Sequence, residues 1–281
     1  MPETVKRHLS ELDLTGRSFL TIHDYSPAEV VALLDLAAAL KDAQKRRASH
    51  AVLEGRAVAM IFMKTSTRTR MSFEVGIEQL GAQPMFLNAN DIQLRVGETI
   101  KDTANVMSRY VDAIMIRTFA QQDVEDLAAH GQIPVINGLT DLHHPCQGMA
   151  DAMTGREHCG GLAGKKLVFS GDGNNVAHSL AEVGAKTGMH VVICTPEDYR
   201  PDAQIIARAR EDAKQTGATV ELTSDLQAAV EGADVIYTDT FTSMGQEAEH
   251  DARLAALAAY QVDMDLVRRA GDGDADRAQL V

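Results

Sequence analysis

Short apolar runs alternate with segments of helical periodicity along nearly the whole chain, and this alternation restricts the possible folds more than any other feature. Strands that alternate with helices form parallel sheets. The runs with the length of a buried strand lie near residues 57–63, 84–87, 113–117, 133–136, 167–170, 191–194, 219–222 and 235–238. At 281 residues the chain is long enough for two domains. We therefore predict an α/β protein with two doubly wound parallel-sheet domains, residues 1–150 and 151–281, joined by a bridging helix from about Met149.

The densest polar cluster of the chain directly follows the first of these runs. Three hydroxyl residues are interleaved with two arginines where a strand passes into a helix, at Ser66, Thr67, Arg68, Thr69 and Arg70. Free amide groups and the positive end of the helix dipole gather at such a point. Guanidinium groups match phosphate oxygens in charge and geometry. The cluster could be a capped helix with two surface arginines, but its density favours a site for a phosphate or a similar anion.

Further polar residues follow other predicted strands of the first half. Arg117 ends one strand, and the loop after the next contains His144 and Gln147 around Pro145. Taken singly, a loop histidine is usually solvated and a lone arginine is usually a surface charge. Ligands of open parallel sheets, however, bind beyond the carboxyl ends of the strands. We therefore predict that these side chains share one crevice with the arginine cluster.

The overall composition excludes several classes of function. The net charge of −13 argues against nucleic-acid and anionic-membrane surfaces. The three cysteines, Cys146, Cys159 and Cys194, are too few and too widely spaced for a disulfide framework or a zinc site. The sequence shows no membrane span and no signal peptide. It predicts a cytoplasmic protein that partners neither a membrane nor a nucleic acid.

A glycine-containing turn after the predicted strand at 167–170 allows a rival interpretation as a dinucleotide-binding turn. Gly171 and Gly173 match the first two glycines of that fingerprint, but Val176 stands where Gly or Ala is needed for close helix–strand packing. The adjacent amides Asn174 and Asn175 suit a small zwitterion better. We therefore favour a small-molecule site over a nucleotide cofactor.

Several motifs, in this order, resemble those of the ornithine branch of the aspartate/ornithine carbamoyltransferase family, from about Arg17 to about Val267. The arginine cluster and the His-Pro element belong to the whole family, whereas the element from Asp239 to Gly245 distinguishes the ornithine branch. The motifs are Ser66-Thr67-Arg68-Thr69-Arg70, Asp91-Ile92-Gln93-Leu94, Arg117, His144-Pro145-Cys146-Gln147, Gly171-Asp172-Gly173-Asn174-Asn175 and Asp239-Thr240-Phe241-Thr242-Ser243-Met244-Gly245.

The resemblance implies an enzyme of arginine biosynthesis that transfers the carbamoyl group of carbamoyl phosphate to the δ-amine of L-ornithine, giving L-citrulline and phosphate. Residues 1–150 would bind carbamoyl phosphate and residues 151–281 ornithine. The catalytic residues would be Arg117 and His144. The carbamoyl-phosphate site would comprise Ser66, Thr67, Arg68, Thr69, Gln93, Arg117, His144 and Gln147. The ornithine site would comprise Asn175, Asp239, Ser243 and Met244.

The resemblance also implies an assembly and a chemistry without cofactors. The family forms trimers, so a homotrimer or a multiple of trimers is expected, with Gln93 acting in the site of a neighbouring subunit. Neither a metal nor an organic cofactor is implied. Putrescine and aspartate are lesser alternatives as acceptors. Asp239, Ser243 and Met244 suit an acceptor with an α-amino-acid end, which disfavours putrescine.

The sequence departs from the family pattern after Val267, where the family's next apolar strand and its His-Cys-Leu-Pro loop are absent. Residues 268–281 instead place aspartates among glycines, a composition typical of a solvated tail. The departure predicts a C-terminally truncated or frame-altered member with an incomplete second domain and a disordered tail at 268–281. The alternative function is then a non-catalytic protein that binds carbamoyl phosphate or assembles with active subunits.

Overall fold

The computed structural model describes residues 1–95, 97–242, 249–270 and 279–280. The chain divides into two compact units. The first unit comprises residues 1–24 and 31–146, and the second comprises residues 25–30 and 147–281. The chain passes from the first unit to the second within helix α6, Pro145–Cys159. A capping box begins helix α2, Pro27–Lys45, since the backbone amides and side chains of Ser26 and Glu29 bond reciprocally at 2.8 and 3.3 Å.

The first unit contains a sheet of four parallel strands in the order β2-β1-β3-β4. The strands are β1 Ala57–Phe62, β2 Gln83–Asn88, β3 Ala113–Arg117 and β4 Val135–Leu139. The helices that precede α6 are α1 Glu3–Glu11, α2 Pro27–Lys45, α3 Thr67–Gln79, α4 Ile100–Met107 and α5 Gln121–His130. The chain runs outward from β1 to β2 and then returns to place β3 on the other side of β1. The topological switch point of this sheet therefore lies between β1 and β3.

Both faces of this sheet are covered by apolar side chains, which explains the continuous apolar runs of the sequence. Met60 and Met115 belong to the core cluster on one face, and Ile61 and Ile114 to the cluster on the other. All four side chains are fully buried. Such strands cannot face water on either side, so the parallel arrangement follows from their composition.

The second unit contains a sheet of parallel strands in the order β7-β6-β5-β8-β9. The strands are β5 Lys166–Ser170, β6 His190–Cys194, β7 Val220–Thr223, β8 Val235–Thr238 and β9 Gln279–Leu280. After α6, the helices are α7 Asn175–Thr187, α8 Ala203–Ala213, α9 Leu226–Ala229, α10 His250–Leu257 and α11 Met264–Ala270. The switch point lies between β5 and β8. The predicted fold class, two α/β domains with parallel sheets, is confirmed.

The end of the chain differs from the sequence-based expectation wherever the structure describes it. Arg268, Arg269 and Ala270 form the last residues of α11 rather than part of a tail. Gln279 and Leu280 pair in parallel with Val235 and Ile236 of β8. The expectation relied on a missing apolar run, but a two-residue strand requires only backbone groups. For residues 271–278 and 281, which lie outside the described residues, disorder stays a prediction.

No helix in the described ranges combines the length and the apolarity that crossing a membrane requires.

Candidate active site

The N-terminus of α3 lies just beyond β1, at the switch point of the first sheet. Ser66 is its N-cap, with an extended backbone and a side-chain oxygen that accepts a hydrogen bond from the Thr69 amide at 3.2 Å. The Ser66 hydroxyl also donates to Oγ1 of Thr69 at 3.0 Å. These contacts hold both hydroxyls at the positive end of the helix dipole, where backbone N–H groups favour an anion.

Arg117, the last residue of β3, brings a buried cation to the same point. Its Nη1 donates to Oγ1 of Thr69 at 3.3 Å. Its Nε is buried and has no hydrogen-bond partner within the described part of the chain. Burial, and then the charge of Arg68, lower the pKa of the guanidinium, but the ordinary pKa of arginine is so high that the group stays charged. A buried donor of this kind is suited to a ligand oxygen.

The remaining residues of the predicted cluster divide into two groups. Thr67 and Arg68 are exposed at the first turn of α3. Arg70 is otherwise engaged, since its Nε lies 3.1 Å from Glu74 and its guanidinium carbon lies 3.6 Å from the centroid of the Phe86 ring. Arg68 is therefore the guanidinium of the cluster that remains available to an anion together with Arg117, whereas Arg70 serves the surface of the helix.

His144 is held immediately before α6 by a tight turn. The Thr140 hydroxyl accepts from the backbone amide of His143 at 3.0 Å and donates to Gln121 at 2.7 Å. Burial, reinforced by the charge of Arg117, lowers the pKa of His144 to about 4. The imidazole is therefore neutral at pH 7 and can act as an uncharged hydrogen-bond donor, but it is not a reservoir of protons.

Cys146 lies on the first turn of α6, next to these polar residues. Its thiol donates to the backbone oxygen of Asn137 at 3.5 Å. Burial raises the pKa of the thiol to about 12. Since the thiolate is the nucleophilic form, Cys146 is a packing residue and not a nucleophile at neutral pH.

Like Gln147, which bonds to Asp151 on α6, Gln93 is a predicted phosphate-site residue that these contacts do not include. It begins a 3₁₀ turn, Gln93–Arg95, and its side chain is exposed. Its exposure is compatible with a role in another subunit's site, but that role stays a prediction.

Lys64 was not among the predicted site residues, although it lies between β1 and the N-cap of α3. Its side chain is buried, and its Nζ lies 2.5 Å from Oδ1 of Asp141. The sequence feature that could have identified Lys64 is the position of a lysine between a buried strand and a capping serine. Its partner, 77 positions away, could not be inferred from that spacing.

The second unit brings together two of the motifs at the switch point between β5 and β8. Asn174 caps α7 by accepting from the amides of Val176 and Ala177 at 3.0 and 3.2 Å. Its amide nitrogen donates to Oδ2 of Asp239 at 3.2 Å. The residue that contacts Asp239 is thus Asn174, while the predicted Asn175 is the half-buried first residue of the helix. The predicted Ser243 and Met244 lie outside the described residues.

Arg253 on α10 supports the loop that follows β8. It is buried, forms an ion pair with Asp172 and donates to the backbone oxygen of Phe241 at 3.0 Å. Burial raises the pKa of Asp172, Arg253 lowers it, and the charges of Asp239 and Glu249 raise it further. The site in the second unit is therefore rich in carboxylates and suits a ligand that carries ammonium groups.

The glycine turn after β5 has a packing explanation. A Cβ atom on Gly173 would lie 2.3 Å from the backbone nitrogen of Pro201 and 2.6 Å from the backbone oxygen of Tyr199. The Gly173 amide donates to that same oxygen at 2.8 Å. The close approach of two backbones accounts for this glycine without a bound nucleotide.

Comparison with known protein families gives one match in each half of the chain. Residues 17–157 match the carbamoyl-P binding domain of aspartate/ornithine carbamoyltransferase, and residues 163–275 match the Asp/Orn binding domain. The chain belongs to the aspartate/ornithine carbamoyltransferase family. The anion site in the first unit and the carboxylate-rich site in the second fall within the two matched domains of this family.

Relatives within the family carry the name of its ornithine branch. The chain is 52% identical to the ornithine carbamoyltransferase of Oceanobacillus iheyensis, covering 95% of this chain and 83% of that protein. The same identity relates it to the Pyrococcus abyssi protein, covering 92% and 82%. The solved structure of Pyrococcus furiosus ornithine carbamoyltransferase shares 51% identity and a TM-score of 0.89, covering 92% of this chain and 82% of that one.

Proposed function

We propose that this chain transfers the carbamoyl group of carbamoyl phosphate to the δ-amine of L-ornithine, forming L-citrulline and phosphate. The observation that carries the proposal is the contact of buried Arg117 with Thr69 at the N-terminus of α3, beside a neutral His144. The phosphate group of an acyl phosphate needs the first feature, and its activated carbonyl group needs the second. The names of the relatives supply the acceptor.

Carbamoyl phosphate would bind with its phosphate at the start of α3. The hydroxyls and amides of Ser66, Thr67 and Thr69 would surround the phosphate oxygens, and Arg68 and Arg117 would neutralise their charge. The unbonded Nε of Arg117 fits this role, because a charged donor at a buried position gains most from an anionic partner.

His144 and Arg117 would stabilise the oxygen of the carbonyl as the amine attacks it. Donors aimed at a developing oxyanion usually supply the largest electrostatic contribution to catalysis. A neutral imidazole can donate to this oxygen without adding a second cation beside Arg117. Gln147 would hold the NH₂ of the carbamoyl group.

Ornithine would bind in the second unit through Asn175, Asp239, Ser243 and Met244. Asp239 offers a carboxylate to an ammonium group, and Asp172 adds negative charge nearby. Aspartate as acceptor would bring two carboxylates of its own into this field, which disfavours it. Putrescine lacks the carboxylate that an amide side chain such as that of Asn175 would recognise.

The metabolic role, the oligomeric state and the cellular location are also proposals. A role in arginine biosynthesis is supported by the P. furiosus relative, which is named as the anabolic enzyme. Assembly into oligomers, such as the trimer that the family resemblance implies, is supported by exposed apolar side chains on α3 and on the edge strand β2, at Met71, Val75 and Met85. Such a patch is typical of a contact between subunits. Location in the cytoplasm agrees with the absence of a membrane-spanning helix among the described residues.

The test is citrulline formation by the purified chain, supplied with carbamoyl phosphate and each acceptor in turn. We expect turnover with ornithine and much lower rates with putrescine and aspartate. His144→Ala, which removes the donor to the carbonyl oxygen, should lower kcat about 100-fold. Binding of carbamoyl phosphate with no turnover for any acceptor would instead favour the non-catalytic alternative.

A further inference from the structure

Gln147 and Asp151 lie one turn apart on α6 and are joined by a hydrogen bond. The amide Nε2 of Gln147 donates to Oδ1 of Asp151 at 2.8 Å. An ionised carboxylate can only accept hydrogen bonds, so it must face the NH₂ side of the amide. The carbonyl oxygen Oε1 of Gln147 is then left as the acceptor that a ligand can meet.

Asp151 is unusually buried for a residue with a carboxylate side chain. Its residue is only 9% exposed, on the side of α6 that approaches β8. Burial raises the pKa of the carboxyl to about 6. The bonds to Gln147 and Tyr237 lower it, and the charge of Asp239 raises it. The titratable groups that face it are Tyr237, whose own pKa burial raises, and Asp239.

A purely stabilising role fits these facts poorly. A polar pair spaced i,i+4 on a helix contributes only about 0.2–0.5 kcal/mol. A carboxyl whose pKa is raised in the folded state makes folding less favourable once the pH exceeds its ordinary value. The raised pKa of Asp151 therefore works against stability at neutral pH, while its carboxylate fixes the orientation of the Gln147 amide and also interacts with Tyr237.

We infer that Asp151 is a positioning residue that holds Gln147 with Oε1 toward the ligand, so that the site selects an acyl phosphate carrying NH₂ over one carrying CH₃. The inference rests on the proposed function, in which Gln147 meets the carbamoyl NH₂. A donor group on the ligand gains a hydrogen bond from this orientation, whereas a methyl group leaves Oε1 without a partner. An amide that rotated freely would discriminate less between the two kinds of ligand, because in half of its orientations its NH₂ group, and not Oε1, would face the ligand.

Two stable phosphonates make a matched pair of probes. Phosphonoacetamide carries NH₂ on its carbonyl, and acetonylphosphonate carries CH₃ in the same place. Calorimetry on the full chain would give the ratio of their dissociation constants for wild type, Asp151→Asn and Gln147→Leu. We expect wild type to prefer the amide about tenfold or more, the worth of one hydrogen bond. Both variants should lose this preference, and Asp151→Asn should keep the affinity for acetonylphosphonate within about twofold, a small change on the same scale.

The pH dependence gives a second readout that needs no substitution. As the pH falls through about 6, Asp151 takes up a proton and can donate to Oε1, which releases the amide. The preference of wild type should therefore decline between pH 8 and pH 5, and that of Asp151→Asn should stay flat. Ionisation of the phosphonate cancels in the ratio, because both probes carry the same group.

The outcomes separate this inference from the function beneath it. A preference that Asp151→Asn retains, an equal loss of affinity for both probes, or a wild-type ratio constant with pH would each overturn the positioning role alone. If wild type binds neither phosphonate, both the proposed function and the positioning role are wrong. If Asp151→Asn does not fold, the wild-type pH series and Gln147→Leu still decide the matter.

Discussion

The ammonium nitrogen of Lys64 lies 2.5 Å from Oδ1 of Asp141 and 4.3 Å from the centroid of the Phe119 ring. These three residues follow β1, β4 and β3 respectively, so a single cation connects three loops at the carboxyl edge of the first sheet. The two partners differ greatly in solvent access, with side chains 7% exposed for Lys64 and 60% for Asp141. This asymmetry decides what breaking the pair should cost.

We predict that Asp141→Ala is more destabilising than Lys64→Met. Removing the carboxylate leaves a buried ammonium without its counter-charge, at a cost of about 1–3 kcal/mol in the free energy of unfolding. Removing the ammonium leaves an exposed carboxylate that water can solvate. Urea denaturation would measure both variants. The double variant should resemble Lys64→Met within about 0.5 kcal/mol, and equal losses in the two single variants would contradict the prediction.

We predict that Arg68→Ala weakens the binding of carbamoyl phosphate, whereas Arg70→Ala has little effect. A hydrogen bond to a charged group contributes about 1.5–3 kcal/mol, which corresponds to roughly 10–150-fold in the dissociation constant. Arg70 is a matched control, since it lies on the same helical turn but is engaged with Glu74 and Phe86. Calorimetry with phosphonoacetamide would measure both. Equal losses would show that the division of the cluster into two groups is wrong.

The lowered pKa of His144 predicts a specific dependence of stability on pH. The folded protein keeps this imidazole neutral down to about pH 4, whereas the ordinary value is 6.5. Between these values the unfolded chain binds more protons, so acid favours unfolding. The free energy of unfolding of wild type minus that of His144→Asn should therefore fall by roughly 2–3 kcal/mol from pH 7 to pH 4. Asp151 titrates in the opposite sense, but both proteins contain it, so it cancels.

Denaturant unfolding of the two proteins at several pH values would measure this difference. If the difference stayed constant over that range, the imidazole would not be held neutral by its surroundings.

The sequence predicted the sheets because buried parallel strands must be apolar on both faces, as Met60 and Ile61 are. The sequence also predicted that Arg117 and the start of α3 lie close together. Arg117 ends β3 and α3 follows β1, and these two strands flank the switch point of the sheet. The partnership of Lys64 with Asp141 was not predictable, because it depends on the course of loops between distant strands. The bond from Gln147 to Asp151 could be predicted from the sequence, since the two residues have the i,i+4 spacing of a helix.

Helix α7 shows how a one-residue uncertainty alters a site. The motif contains two adjacent asparagines, and the choice between them depends on which residue is the cap. Helix boundaries are uncertain by a residue or two in any sequence-based argument. In the structure, Asn174 is the N-cap and contacts Asp239, whereas Asn175 is the first residue of the helix.

We predict that Asn174 and Asn175 contribute differently to stability and to ornithine use. Asn174→Ala removes the cap of α7 and should cost about 0.5–2 kcal/mol in the free energy of unfolding. Asn174→Ser keeps a capping oxygen but loses the donor to Asp239, so it should raise the KM for ornithine with little loss of stability. Asn175→Ala keeps the cap of α7 and should also raise the KM for ornithine.

Thermal unfolding and steady-state kinetics with each substrate varied would separate these effects. The KM for carbamoyl phosphate should stay unchanged in all three variants, since both asparagines belong to the second unit. If Asn174→Ser used ornithine as wild type does, Asp239 would not depend on the Asn174 amide for its position. If Asn175→Ala did so, Asn175 would not be a ligand of ornithine, because the helix would still be capped by Asn174.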